Sequence, residues 1–377
     1  MSAPHTLSAL LEPAQAGRLV VKVGSALLVR DGTARDQWLA ALAGEIATFR
    51  QAGRDVIVVS SGAIALGAKR LGLPAGGRGS LADAQAAASV GQVELARLWS
   101  RSLDAHGLVA AQMLVTLGDL EDRRRYLNAS ATLGRLLEQG AVPVVNENDS
   151  VATEEIRFGD NDRLAARVAQ AAQAQAVVLL SDVDGLYDRH PGEPGARRVP
   201  VVEGVTPDIL AMASGTSASG VGTGGMIAKV EAARIAGRAG IALAIVDGRP
   251  DAPIGAAREA GTGTLFLPRR RDNARKAWLG GRLSVAGKLR VDAGCAAALA
   301  DRASLLAAGV TQVEGDFERG DLVAIEGPGG ERLGQGLVEY SSEECRAIRG
   351  LKDEDQAARL GYTPRAAVIH RDHLVRA

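Results

Sequence analysis

The chain of 377 residues is short of cysteine: it has two, Cys295 and Cys345, far apart and in no ligand-spaced pattern. That argues against a disulfide framework and a structural zinc site, and fits a reducing compartment. Its five histidines form no ligand-spaced pair. Aromatic residues make up 3%, and 44 basic residues balance 44 acidic ones to a net charge of zero. No whole-chain field for nucleic acid or membrane follows from that balance. The basic clusters Arg123-Arg124-Arg125 and Arg269-Arg270-Arg271 sit beside acids and read as solvated faces. No apolar run approaches the ~20 residues of a membrane-spanning helix. Residues 1–17 lack a basic start and carry Pro4, Glu12 and Pro13. They read as a disordered lead rather than a signal peptide, with the cytoplasm as the expected location.

What is present is ordinary globular material, 46% hydrophobic and 23% charged, in a chain long enough for two or more domains. Arg18 to Val23 reads as a strand ending in Gly24-Ser25. Its near-continuous apolar run fits burial on both faces of a parallel sheet. Lys22 is out of place there unless it meets an anion or snorkels from the strand end. A helix follows from Asp36 to Ala52, with Trp38, Leu42, Ile46 and Phe49 at helical spacing, and then a strand from Asp55 to Val59. Strand, helix, strand makes a parallel βαβ unit, and ligands bind beyond the carboxyl ends of such strands. Ser61 and Gly62 fall at one of those ends, as substrate contacts or as a helix cap. Helices are expected over 81–106, 122–139 and 164–172, with strands over 108–116, 141–145, 176–180, 241–246 and 263–267.

Two polar clusters lie in one segment: Asn146-Glu147-Asn148-Asp149, and Gly159-Asp160-Asn161-Asp162 ahead of an apolar-periodic helix. Asn and Asp favour turns and caps anyway, so Asp162 alone reads as an N-cap. Two clusters so close together also fit a small-molecule site that grips an ammonium and a carboxylate. Ser181-Asp182, after another strand, sits at the same edge.

The stretch Gly220 to Lys229, G-V-G-T-G-G-M-I-A-K, runs into a helix expected over 226–239. Glycines let backbone N–H groups close around an anion, and a helix N-terminus adds unpaired donors and partial positive charge. Lys229 lies one turn in. A phosphate cradle and a flexible loop before an ordinary helix both fit this stretch alone; the Walker A spacing is absent. Lys22 and Lys229, each with a glycine-rich turn, suit phosphoryl transfer to an acceptor that needs no deprotonation. A carboxylate, ionised at pH 7, is such an acceptor. The barrier is its repulsion from the triphosphate, which ammonium groups, N–H donors and Mg²⁺ offset. Beyond Pro268 the character changes. An arginine-rich linker (268–283) leads to short β-like runs at 287–291, 309–313, 322–325, 333–338 and 366–370, with two short helices.

Taken in order, V-V-K-V-G-S, V-V-S-S-G-A-I-A-L-G, V-P-V-V-N-E-N-D, F-G-D-N-D-R-L and G-T-G-G-M-x-x-K resemble the glutamate 5-kinase family of the amino acid kinase superfamily. The tail, 284–377, resembles a PUA domain. The resemblance implies an α/β fold, a mostly parallel sheet sandwiched by helices over 18–267, followed by a small β-rich domain. It implies ATP-dependent phosphorylation of the side-chain carboxylate of L-glutamate, the first step of proline biosynthesis. By motif, Lys22 and Lys229 would neutralise the transferred phosphoryl group and Asp162 would orient them. Ser61, Gly62, Asp149 and Asn161 would bind glutamate. Ser181, Asp182, Thr223, Gly224, Gly225, Met226, Ile227, Ala228 and Lys229 would line the nucleotide site, with Lys22 on the ATP phosphates. Ala228 stands where the family often has Thr, so no side-chain role is given to it. The resemblance further implies Mg²⁺, a homo-oligomer built from the kinase domain, L-proline as feedback inhibitor and a downstream glutamyl phosphate reductase as partner. PUA domains bind RNA elsewhere, but zero net charge and few aromatics weaken an RNA reading here.

Overall fold

The computed structural model describes residues 6–15, 17–151, 160–215, 225–268, 285–362, 364–365 and 367–376. The chain divides into two compact units, Met1–Arg271 and Asp272–Ala377. The expected linker, apart from Pro268, lies outside the described residues.

The first unit opens with a helical turn, α1 (Leu7–Leu10), and enters the sheet through β1 (Arg18–Val23). Then come α2 (Ser25–Leu28), the hairpin β2 (Val29–Arg30) and β3 (Thr33–Ala34), α3 (Asp36–Gln51) and β4 (Asp55–Ser60). Next are α4 (Ala63–Leu71), α5 (Leu81–Asp104), β5 (Ala110–Val115), α6 (Leu117–Glu121), α7 (Arg123–Glu138) and β6 (Val142–Glu147). The second half of the unit holds α8 (Asp160–Ala171), β7 (Ala176–Ser181), β8 (Val201–Glu203), α9 (Pro207–Gly215) and α10 (Gly225–Arg238). It closes with β9 (Ala242–Asp247), α11 (Pro253–Ala260) and β10 (Thr264–Leu267).

Eight of these strands form one sheet in the order β5-β6-β4-β1-β7-β9-β10-β8. Every neighbouring pair is parallel except β9 and β10, which run antiparallel. The central strands read as apolar runs because both faces are covered. Period-two alternation then decides which side chain meets which layer. Leu19, Val21 and Val23 join Val56, Val58, Val178 and Leu180 in a core with Trp38, Leu42 and Ile46 of α3 and Trp99 of α5. Lys22 therefore points to the opposite face.

Helices α4 and α5 cross unusually closely. A Cβ on Gly91 would fall on the carbonyl oxygen of Ala63, and one on Gly67 on that of Ala87. Two glycines are what allow this approach.

The expectation of a disordered lead is corrected in part. Leu10 and Leu11 are buried against the core. Buried Arg54 donates to the carbonyls of Leu10 (2.8 Å) and Glu12 (3.0 Å). Burial of those leucines overrides the proline-rich composition. The helix expected over 122–139 is α7, which Asp122 caps by accepting from Arg125 N; the short α6 precedes it.

The second unit has a five-stranded sheet, order β12-β11-β13-β14-β15. Its elements are β11 (Gly287–Val291), α12 (Ala293–Ala300), β12 (Val310–Gly315), β13 (Leu322–Glu326), β14 (Arg332–Leu337), α13 (Ser342–Ile348), α14 (Asp353–Leu360) and β15 (Leu374–Arg376). Of the run expected as a strand over 366–370, the described residues 367–370 form none. Val368 and Ile369 are buried and exchange backbone hydrogen bonds with Leu305, leaving an isolated bridge. The last strand comes a few residues later.

Candidate active site

Strands β1, β4, β6 and β7 end together, with Val23 beside Ser60 and Leu180, and Val59 beside Val145. The crevice beyond these carboxyl ends is where α/β sheets hold ligands. Lys22, next to last in β1, is 6% exposed and faces the layer that contains α8 and α10. Asp162, in the first turn of α8, is 0% exposed, and Lys229, one turn into α10, is 9% exposed.

The three meet. Lys22 Nζ is 2.5 Å from Asp162 Oδ1, and Lys229 Nζ is 2.9 Å from Asp162 Oδ2. Lys229 Nζ also reaches back to the carbonyl of Gly225, at 3.5 Å. Asp162 is thus not an N-cap: α8 begins at Asp160, and the carboxylate is spent on two ammonium groups. Burying a charge costs free energy unless it is paired. Two ammonium groups around one carboxylate leave a local charge of +1, which an anion can compensate. Burial pulls Lys22 below its ordinary 10.5, with Asp162 opposing and Lys229 adding to the fall. Burial acts to raise Asp162, but the two lysines overcome it and hold the carboxyl below its ordinary 3.8.

A second, uncharged cluster adjoins. Gly62 has φ +117°, a left-handed conformation that starts α4 and turns the chain directly after Ser61. Asn161 Nδ2 donates to Ser61 Oγ at 2.7 Å and to Asn146 Oδ1 at 3.3 Å. Asn146, 1% exposed at the end of β6, donates through Nδ2 to Gln92 Oε1 at 2.8 Å. Trp99 Nε1 donates to buried Ser60 Oγ at 2.9 Å. Asp149 follows β6; burial lowers the pKa of Arg78, and Asp149 is near enough for its charge to oppose that fall.

On the other side, buried Ser181 donates to Asp182 Oδ1 at 3.2 Å. Asp182 is exposed and near enough to Lys22 to favour its charged form. The Asp184-Gly185 turn is tied down: Tyr187 Oη donates to Asp184 Oδ1 at 3.0 Å, and Arg198 Nη1 lies 3.0 Å from Oδ2. Gly225, Met226 and Ile227 form the first turn of α10 and are partly exposed, whereas Ala228 is 3% exposed and faces the core. Thr223 and Gly224 lie outside the described residues.

The Amino acid kinase family model matches residues 17–247, and the PUA domain model matches 287–358. The chain is 65% identical to a glutamate 5-kinase of Novosphingobium aromaticivorans over 98% of both chains. It is 59% identical to one of Sphingopyxis alaskensis, over 97% of this chain and 99% of that one. The chain belongs to the glutamate 5-kinase family. A third relative of that name, from Zymomonas mobilis, is 53% identical over 97% of this chain and 93% of its own.

Several residues in or beside these clusters escape sequence reasoning. Asn146 was visible within N-E-N-D as one polar residue among four. Gln92 and Arg78 carried no motif, and only the folding of α5 and of the turn before it onto the sheet edge reveals them. Arg163 was visible within F-G-D-N-D-R-L without a role, and Glu231 was hidden. Arg163 Nη2 lies 2.6 Å from Glu231 Oε2, joining α8 to α10 one residue past Asp162 and two past Lys229. Among the described residues no three His, Cys, Asp or Glu side chains converge on a point that could hold a metal ion.

Proposed function

We propose that this chain transfers the γ-phosphoryl group of ATP to the side-chain carboxylate of L-glutamate, giving L-glutamyl 5-phosphate, the first step of proline biosynthesis. Residues 18–267 are the kinase domain and 284–377 the PUA domain in this reading. The observation that carries it is the bridge of Lys22 and Lys229 across Asp162.

The acceptor carboxylate is already a nucleophile at pH 7, so no general base is required. Its obstacle is electrostatic: like charges about 4 Å apart repel by roughly 4 kcal/mol at an effective dielectric of 20. Lys22 and Lys229 approach one carboxylate from its two oxygens, which holds them a fixed distance apart. They act as preorganised donors for the transferred group, one from the sheet and one from a helix N-terminal turn. Asp162 positions both, its charge opposing the fall that burial imposes on Lys22, and it touches neither substrate. Ser61, Gly62, Asp149 and Asn161 bind the amino acid. Ser181, Asp182 and the first turn of α10 line the nucleotide, together with Thr223 and Gly224.

Mg²⁺ fits this donor set as an ion carried by the nucleotide, since it needs only one or two protein carboxylates besides phosphate oxygens. Asp182, exposed at the end of β7, is the carboxylate that would hold it. When bound, the ion supplies further neutralisation of phosphate charge.

The reading extends to a homo-oligomer of the kinase domain, inhibition by L-proline at the glutamate site and delivery of product to a glutamyl phosphate reductase in the cytoplasm. The family resemblance supports these parts. Among the described residues no helix is long and apolar enough to cross a membrane.

The test is an ATP-consumption assay with hydroxylamine trapping of the acyl phosphate, across L-glutamate, N-acetyl-L-glutamate and L-aspartate. Hydroxamate formed from L-glutamate is the expected result. Hydroxamate from one of the others and none from L-glutamate overturns the proposal.

A further inference from the structure

The hydrogen bonds around Asn161 have a direction, and that direction starts outside the site. An amide side chain offers donors at one end and an acceptor at the other, so fixing one end fixes the other. Gln92 Oε1 accepts from Asn146 Nδ2, so Asn146 must turn Oδ1 the other way. That Oδ1 accepts from Asn161 Nδ2, which also donates to Ser61 Oγ. Asn161 Oδ1 is then left as the free end, and it is buried with no hydrogen-bond partner among the described residues. A buried acceptor without a partner costs free energy, so it favours a ligand that donates. The hydroxyl of Ser61 rotates to suit and cannot impose direction itself. Gln92 stands at the far end of the chain of amides, on α5 directly after Gly91, where α5 is pressed against the start of α4, and it presents Oε1 to Asn146.

We propose that Gln92 is a positioning residue that sets substrate specificity. Through Asn146 it orients the Asn161 amide so that Oδ1 faces the α-ammonium of the amino-acid substrate. The inference rests on the reading of the reaction given above. Without the acceptor at position 92, Asn146 is free to turn Nδ2 toward Asn161. Asn161 then answers with Oδ1 and presents an N–H₂ group to the substrate ammonium, donor against donor. Glutarate has both carboxylates of glutamate and no amino group, so the flip is invisible to it.

The experiment measures, for the full-length wild type, Gln92→Leu and Gln92→Glu, the KM for L-glutamate and the inhibition constant of glutarate against it. Hydrogen bonds to charged groups predict that Gln92→Leu raises the KM for L-glutamate by roughly 10- to 100-fold, with the glutarate constant unchanged. Gln92→Glu keeps an acceptor at that position and stays near wild type. A KM unchanged in Gln92→Leu overturns the inference, and so does a proportional rise for both molecules, which marks a merely structural role. A wild type that consumes no ATP with L-glutamate overturns the reading of the reaction itself, and this inference with it.

Discussion

Asp162 and Lys229 stand 67 residues apart in the chain and 2.9 Å apart in space. The carboxylate also holds Lys22, so the two cations are not equivalent to it in consequence. Removing one lysine leaves a buried pair. Removing the carboxylate leaves two ammonium groups facing each other in the same enclosure.

Lys229→Met is therefore expected to fold, with an unchanged far-ultraviolet circular dichroism spectrum, and to lose turnover by about 10³-fold, in the range found for preorganised electrostatic donors. Steady-state kinetics at saturating ATP and L-glutamate checks it. A kcat within a few-fold of wild type removes Lys229 from the chemistry.

Asp162→Asn is expected to be the less stable variant, by about 3–5 kcal/mol in urea unfolding at pH 7, because it strands buried charge. The pH dependence has a definite sign. The folded-state pKa of Asp162 is depressed, so its contribution is fully present above the unfolded value near 3.8 and is lost as pH falls through the folded one. The stability gap between wild type and Asp162→Asn should stay constant from neutral pH down to about 5 and shrink below 4. A gap that widens on acidification contradicts the assignment.

Lys22 gives the alkaline counterpart. Burial lowers its pKa from 10.5, so it deprotonates earlier than a free lysine. Phosphate anions nearby favour the charged form and push the value back up. The alkaline fall of kcat/KM for ATP, which reports the free enzyme, should come below 10.5 and at lower pH than the fall of kcat, which reports the loaded one. Coincident alkaline limbs would speak against Lys22 as the titrating group.

The Arg163–Glu231 pair, each about a quarter exposed, ties the helix of Asp162 to the helix of Lys229. Glu231→Arg sets two guanidinium groups against each other and should lower kcat roughly tenfold, as small displacements of reacting groups do. The exchanged pair Arg163→Glu with Glu231→Arg should recover most of it in a double-mutant cycle. No recovery means that the two residues matter separately.

Much of this was legible in the residues themselves. The apolar run around Lys22 marked a central strand, and an ammonium in such a run needs an anion. The G-D-N-D motif pointed to Asn161 and Asp162. Periodicity nonetheless placed the start of α8 too late, because its first turn carries site residues instead of core ones and so shows no apolar stripe. Val368 and Ile369 misled in the opposite sense: two apolar residues that fill a core look like a strand, and only the backbone partners tell. Gln92 was out of reach for a different reason. The direction of an amide is a property of the network it joins, and a glutamine on a partly exposed helix face announces nothing.

The location of Lys22 has a further consequence. It belongs to a strand with parallel neighbours on both sides, Lys22 abreast of Val59 and Leu179. That backbone cannot shift without breaking two ladders at once. Lys229 rides on a helix that packs over the sheet and has no such double tether. In the proposed reaction, any movement that admits a nucleotide would fall on the helices α8 and α10 together, while the strand lysine stays with its ladders.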